Sequence, residues 1–329
     1  MTQRKSSPLN IVLQGMGLAV GAWLLYSRFG INHDLPLPPA LEGAERIRFR
    51  SATAGFLSYY AAPAASGRPL ILIHSINAAA SAYEMRPIFA RYQGTRPVYA
   101  LDLPGFGFSE RANRTYSPEL YAQAILDFMD HAGVGEGGAD VVALSLGSEF
   151  AARAAWARPD LFHSLALISP SGMYRRESRG ASQRAEGDGW SDGARATLGF
   201  PLWSGAFYDL LVTRASIRFF LQQSFVGDPD PGLVDYCVLT GHQPGARFAP
   251  IYFVSGKLFT PDVLESFYSH LTLPALVIYD RDAFVRFDAL PELISSRENW
   301  TLARVAPSLG LPQFERMEDV GVALDQFWA

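Results

Sequence analysis

Two hydrophobic periods run along this chain and alternate. In "ERIRFR" and "FLSYYAA" apolar and polar residues alternate, predicting two strands joined by a turn near Ala54-Gly55. Pro69–His74, "PLILIH", is a continuous apolar run, as a strand covered on both faces requires. A helix fits Ser81–Tyr92, a strand Pro97–Asp102, and a helix Pro118–Ala132 with Ser117 as N-cap and Pro118 at its first position. The strand Asp140–Ser145, the helix "SEFAARAAWA" and the strand Ser164–Ser169 follow. The rhythm breaks from Gly172 to Leu271, a segment helix-like but irregular and rich in aromatic residues and glycine. It resumes with a strand at Ala275–Asp280, a helix at Asp288–Ser296, the strand "WTLARV" and a helix at Phe314–Trp328. Such alternation predicts a mostly parallel α/β sheet with helices on both faces and right-handed crossovers. The expected organisation is a core of residues 46–171 and 272–329, with 172–271 inserted as a cap over the carboxyl ends of the strands, where open parallel sheets bind ligands.

The first 30 residues have a different pattern. No charge occurs from Ser6 to Ser27, a stretch that as a helix would extend roughly 33 Å, close to the thickness of a bilayer's hydrocarbon. Trp23 and Tyr26 lie near one end, Arg4 and Lys5 precede the stretch, and Arg28 follows it. "LLYSRFG" offers no small-x-small cleavage site. The expectation is a single membrane-anchoring helix over Leu9–Tyr26, followed by a proline-rich linker over residues 31–45. A buried soluble helix is the alternative, since Asn10 and Gln14 interrupt the apolar run.

Composition removes several function classes. Apolar residues make up 49% of the 329, enough for a large core, and the net charge of −4 comes with no basic block to engage nucleic acid. The lone Cys237 has no disulfide partner within the chain, and no spacing of Cys and His suggests a metal site or a cofactor.

"VVALSLGSEF" carries the main chemical signal. A strand runs directly into Ser145 and a helix leaves at once, so the turn must be sharp and needs small neighbours, which Ala143 and Gly147 supply. The helix N-terminus also favours negative charge developing beside the hydroxyl. A plain N-cap serine is the competing structural reading. The stretch resembles the G-x-S-x-G nucleophile elbow of the α/β-hydrolase family, with alanine for the first glycine. "LILIHSINAAASAYEMRPIF" is similar to that family's oxyanion loop, with Ser75 where glycine is usual. "YALDLPGFGFSER" resembles its Asp-x-Pro-Gly-x-Gly-x-Ser turn, and "LPALVIYDRDAFVRF" its acid-bearing strand and turn. The resemblance covers roughly Arg46 to Trp328 apart from most of the inserted segment. It implies Ser145 as nucleophile, the backbone N–H groups of Ile76 and Leu146 as oxyanion donors, and Asp282 as the acid, with Asp280 a weaker rival. His74 and Asp102 read as structural.

One part of the family pattern is missing. A histidine should follow the acid, yet "SLGLPQFE" laid on the family's Gly-His-x-Pro-x-x-Glu puts Gly310 there, and no histidine follows His270. Losing that base from a working triad costs on the order of 10⁶ in turnover. His242 in the cap is one candidate replacement. Glu149, four residues after Ser145 on the same helical face, is another. The expected function is therefore a serine hydrolase acting on an ester or similar bond of a hydrophobic small molecule, with a non-standard base. A ligand-binding or sensing protein on the same fold is the alternative, and a cofactor-free lyase or isomerase a third. The aromatic cap, with Trp190, Trp203, Phe207, Tyr208, Phe219, Phe220, Tyr236, Phe248, Tyr252 and Phe253, suits an apolar ligand, although packing of the cap onto the body explains the same residues.

Overall fold

The computed structural model describes residues 8–174 and 190–329, with side chains placed from Met16 onward outside 175–191. Residues 175–189 of the inserted segment, the side chain of Trp190 and the first side chains of the expected anchor lie outside the described residues.

Helix α1 (Pro8–Phe29) is followed by strands β1 (Glu45–Ser51), β2 (Gly55–Ala62) and β3 (Leu70–Ile73), then α2 (Arg86–Tyr92), β4 (Val98–Asp102), α3 (Pro118–His131), β5 (Ala139–Leu144), α4 (Gly147–Ala157) and β6 (Phe162–Ile168). Six helices come next: α5 (Trp190–Leu198), α6 (Ser204–Leu211), α7 (Arg214–Gln222), α8 (Pro231–Gly241), α9 (Phe248–Val254) and α10 (Val263–Ser266). The chain ends with β7 (Ala275–Tyr279), α11 (Leu290–Ser296), β8 (Trp300–Arg304), α12 (Pro312–Glu315) and α13 (Met317–Phe327).

The eight strands form one sheet in the order β1-β2-β4-β3-β5-β6-β7-β8. Only the β1–β2 and β2–β4 pairings are antiparallel. The rest are parallel, so β3, β5, β6 and β7 deliver their carboxyl ends to one edge, with Ile73 beside Ala143 and Ile168 beside both Leu144 and Ile278. Leu70–Ile73 and Ala139–Leu144 are buried throughout, which explains their unbroken apolar sequences. One core layer lies on each face, around Phe128 and Phe150 on one side and Phe89 and Tyr60 on the other.

Local chemistry sets the element ends. Ser117 caps α3 by accepting from the Leu120 N–H, as its position before Pro118 predicts. The helix expected over Ser81–Tyr92 is a 3₁₀ turn, Ala82–Met85, running into α2. The expected last helix is two, interrupted at Arg316, whose φ of −138° and ψ of 47° are not helical.

The N-terminal helix forms, but among the described residues no helix is long and apolar enough to cross a membrane. Its C-terminal half is bonded to α6. The Trp23 indole donates to the Ala206 carbonyl at 2.8 Å, and the Ser27 hydroxyl donates to Asp209 Oδ2 at 2.5 Å. The linker continues the attachment, with Gln243 donating to the Leu35 carbonyl and Tyr236 to the Pro38 carbonyl.

Candidate active site

Ser145 sits at the end of β5 with φ of 51°, the left-handed region that costs a residue with a side chain about 1–3 kcal/mol. From Ala139 to Phe150 it is the only residue that is not buried. The neighbouring positions explain the small residues. A side chain at Gly147 would collide with the His74 carbonyl, so glycine lets the loop after β3 lie against the start of α4. The Ser145 N–H donates to the Ile168 carbonyl at 2.9 Å, and its own carbonyl accepts from Ser148 at 3.0 Å. An N-cap role is excluded by the cap geometry: Leu146 holds the N-cap position of α4, and no side chain caps that helix.

Leu146 follows the serine directly, and Ile76 lies on the loop after β3, the strand paired with β5. The Ile76 loop is braced from behind by Glu84, a fully buried carboxylate. Glu84 accepts from the Ser75 N–H at 2.8 Å and from the Asn77 amide at 2.7 Å. Burial pushes its pKa up, and the hydrogen bonds from Ser75 and Asn77 oppose the shift. Tyr208 of α6 adds a bond from the cap to the same loop, donating to the Ala78 carbonyl at 2.8 Å. Nothing in the sequence marks Glu84; an acid near the start of a helix reads as a surface residue.

His74 and Asp102 are structural. Leu103 donates its N–H to His74 Nε2 at 2.9 Å, so Nδ1 carries the proton and donates to the Ser75 carbonyl at 2.5 Å. Burial lowers the His74 pKa to about 4 and keeps the ring neutral. Asp102 accepts from the N–H groups of Ala82 and Phe108 and fills the place where a Gly107 side chain would go, so it fixes the turn after β4.

The acid turn separates the two rival aspartates. Asp280 accepts from the Arg304 guanidinium at 2.8 Å and from the Ser308 N–H at 3.2 Å. Burial raises its pKa, but these bonds outweigh that and leave it below the usual carboxylate value. Among the described residues Asp282 has no such cation. Its Oδ1 accepts from Phe284 at 2.7 Å and Val285 at 3.1 Å. Burial pushes its pKa up to about 6 against those two N–H groups. A β-carbon placed on Gly310 would lie 2.8 Å from Asp282 Oδ2 and 3.3 Å from Ser224 Oγ. The position that would carry the family histidine therefore faces the acid, with Ser224 beside it. Glu315 fixes this loop to the cap, accepting from Leu309, Val226 and Gly227.

The two replacement bases are engaged elsewhere. Glu149 accepts from the Ser171 hydroxyl at 2.5 Å and the Thr260 N–H at 2.8 Å, joining α4 to the segment before α10. The His242 ring bonds the Val238 carbonyl at 2.7 Å through Nδ1 and stacks on His33 at 6.3 Å. Among the described residues no hydrogen bond joins it to Ser145 or Asp282. Of the cap aromatics, Tyr208 and Tyr236 are buried in the core layer, Phe248, Tyr252 and Phe253 pack against the other, and Phe219 and Phe220 are exposed. No group of three or more His, Cys, Asp or Glu side chains among the described residues is arranged to hold a metal ion.

Known proteins share this architecture. Residues 70–323 match the model of the alpha/beta hydrolase family. The uncharacterized hydrolase YugF of Bacillus subtilis (strain 168) is 29% identical over 138 residues, which are 41% of this chain and 49% of that protein, so the match spans about half of the relative's length. Among solved structures, a bacterial membrane phospholipase A superposes with a TM-score of 0.67 at 20% identity, covering 97% of this chain and 96% of that one. The carboxylesterase CesB of Bacillus subtilis gives 0.63 at 15% identity, covering 95% and 98%. The epoxide hydrolase CorEH gives 0.66 at 19% identity, covering 86% and 99%. These structural likenesses concern the fold alone, while the family match extends from β3 into the last helix, through the serine turn, the acid turn and the Gly310 loop. The chain belongs to the alpha/beta hydrolase family.

Proposed function

We propose that this chain is a serine hydrolase that cleaves an ester of a hydrophobic small molecule through an acyl-enzyme on Ser145, with Asp282 as the proton acceptor. The observation that carries the reading is the pairing of a strained, accessible serine with an acid whose second oxygen faces the Gly310 position. β6 lies between β5 and β7, so at about 4.8 Å per strand spacing their carboxyl ends are about 10 Å apart, too far for direct transfer. A short chain of hydrogen-bonded waters in the place of the family imidazole spans that gap. Its first water takes the Ser145 proton as the oxygen attacks the acyl carbon, each water passes a proton to the next, and the last protonates Asp282. The N–H groups of Leu146 and Ile76 hold the oxyanion. As the tetrahedral species collapses, the proton returns by the same route to the leaving alkoxide. Another water, deprotonated by Asp282 through the same chain, then attacks the acyl-enzyme, and the proton returns to the Ser145 oxygen as the carboxylic acid leaves. A carboxyl with a pKa near 6 is ionised at neutral pH yet basic enough to accept a proton, which suits a general base.

The His242 route remains the competitor within this reading, and its ring contacts with Val238 and His33 count against it. The second reading, a ligand-binding protein without turnover, is favoured by one fact, the absence of any histidine after His270. Hydrolysis of a short-chain nitrophenyl ester by the wild type, Ser145→Ala, Asp282→Asn and His242→Ala separates the three. The proposal expects loss in the first two variants and retention in the third. Loss in His242→Ala with retention in Asp282→Asn moves the base to the cap. No turnover in any form leaves the binding reading.

A further inference from the structure

The face of α1 turned away from α6 carries an apolar stripe. Trp23, Leu24 and Ser27 form the docked side of this helix. Leu18, Ala22, Leu25 and Phe29 recur at spacings of four, three and four and so share the opposite side. That side is open, with Leu18 76%, Leu25 63% and Phe29 80% exposed. Isolated exposed apolar residues need no explanation, but a continuous stripe along one helix marks a contact surface. Toward the docked side, where Leu24 and Ser27 lie, a cleft of about 250 Å³ opens between α1, α6 and the α8–α9 connection. Leu24, Arg28, His33, Leu202, Asp209 and Arg247 are among its lining residues. Asp209 is already taken by Ser27 and His33. Arg28 and Arg247 form no ion pair with an acid among the described residues, and the Arg247 guanidinium lies over the Phe248 ring at 4.6 Å. Leu202, on the α6 side of the cleft, is 70% exposed.

We infer that this surface rests on an anionic membrane, with the stripe on α1 in the interfacial region and a lipid phosphate in the cleft between Arg28 and Arg247. An exposed apolar face flanked by cationic side chains is the pattern of a helix lying in the membrane interface. It also accords with a helix that bonds laterally to α6. The charge selects the occupant. A second copy of the chain docking through the same face would bring two sets of unpaired arginines together, whereas the anionic headgroup layer of a bilayer neutralises them. A free phosphate would fill the cleft and leave the stripe in water.

Flotation of the full chain with vesicles of phosphatidylcholine alone, or of phosphatidylcholine with phosphatidylglycerol, tests the inference. Binding is expected to the anionic vesicles, with release at high salt or by an alkaline wash. Arg28→Ala and Arg247→Ala should each weaken it about fivefold, the weight of one basic residue at an anionic surface. Phe29→Ser should weaken it at low salt without changing the steepness of its salt dependence. Unchanged melting temperatures show that the variants are folded; if one is not, Arg28→Gln or Arg247→Gln replaces it. Equal binding to both vesicle types, retention through the alkaline wash, displacement by inorganic phosphate alone, or a dimer in solution abolished by Phe29→Ser would each overturn the inference.

Discussion

Replacing Asp282 by asparagine should stabilise the protein at neutral pH while removing its activity. The carboxyl is held at a pKa of about 6 against an ordinary 3.8, a difference of 2.2. The folded state therefore binds the proton more tightly than the unfolded chain does. Stability from this group is present below the unfolded pKa and is lost as pH rises through about 6. Each pKa unit corresponds to about 1.4 kcal/mol, so the ionised acid costs at most about 3 kcal/mol at neutral pH. The side chain reaches solvent in part, which screens the charge and brings the expectation to about 1–3 kcal/mol. Asparagine removes the charge and keeps an oxygen to accept from Phe284 and Val285. Thermal melts of wild type and Asp282→Asn should then differ by about 2–4 °C per kcal/mol near pH 7.5, with the variant higher. The gap should shrink toward zero as the pH is lowered to about 4, where the wild-type acid is itself neutral. Turnover by the variant should fall about 10²-fold or more, the usual weight of a general base. A gap that does not change with pH would refute the desolvated acid, and full turnover in a folded variant would refute its role.

Three further outcomes follow from neighbouring contacts. Gly310→His returns the family side chain to its place, but its β-carbon meets Asp282 Oδ2 at 2.8 Å; ester turnover should rise severalfold while the melting temperature falls, and an unchanged rate in a folded variant would place that loop outside the site. Glu84→Ala leaves the buried Ser75 N–H without its acceptor and the Asn77 amide with only the Ser75 hydroxyl, so kcat should drop with little change in KM, and stability should fall by about 1–3 kcal/mol, as chemical denaturation would measure. Asp209→Ala unties Ser27 and His33 together, and backbone hydrogen exchange in the second half of α1 should quicken while the core strands keep their protection.

The parts legible in the sequence are those whose residue pattern answers to one local requirement. Leu70–Ile73 is apolar at every position because both faces of β3 are covered. Ser145 stands out because a strand meets a helix across it with small residues on both sides, and the left-handed backbone there is what that spacing anticipates. Gly310 is visible as a departure only because Pro312 and Glu315 keep the surrounding pattern. Other features depend on partners far along the chain. Glu84 acts on a loop nine residues before it, and its charge gives no hint of burial. Ser27 closes an uncharged stretch, and nothing local indicates that its hydroxyl is bonded to Asp209, 182 residues later. Glu149 lies on the face of α4 that a catalytic group requires, and its bonds to Ser171 and Thr260 turn it into a tie between body and cap.

Labelling of the intact protein with a fluorophosphonate probe, with the modified residue located by mass spectrometry and the rate followed across pH, tests the serine hydrolase account most directly. The account predicts stoichiometric modification of Ser145 alone, at a rate that rises through an apparent pKa near 6 and loses that rise in Asp282→Asn. A Ser145 that stays unmodified in folded protein across that range would contradict it and leave a fold that binds without turning over.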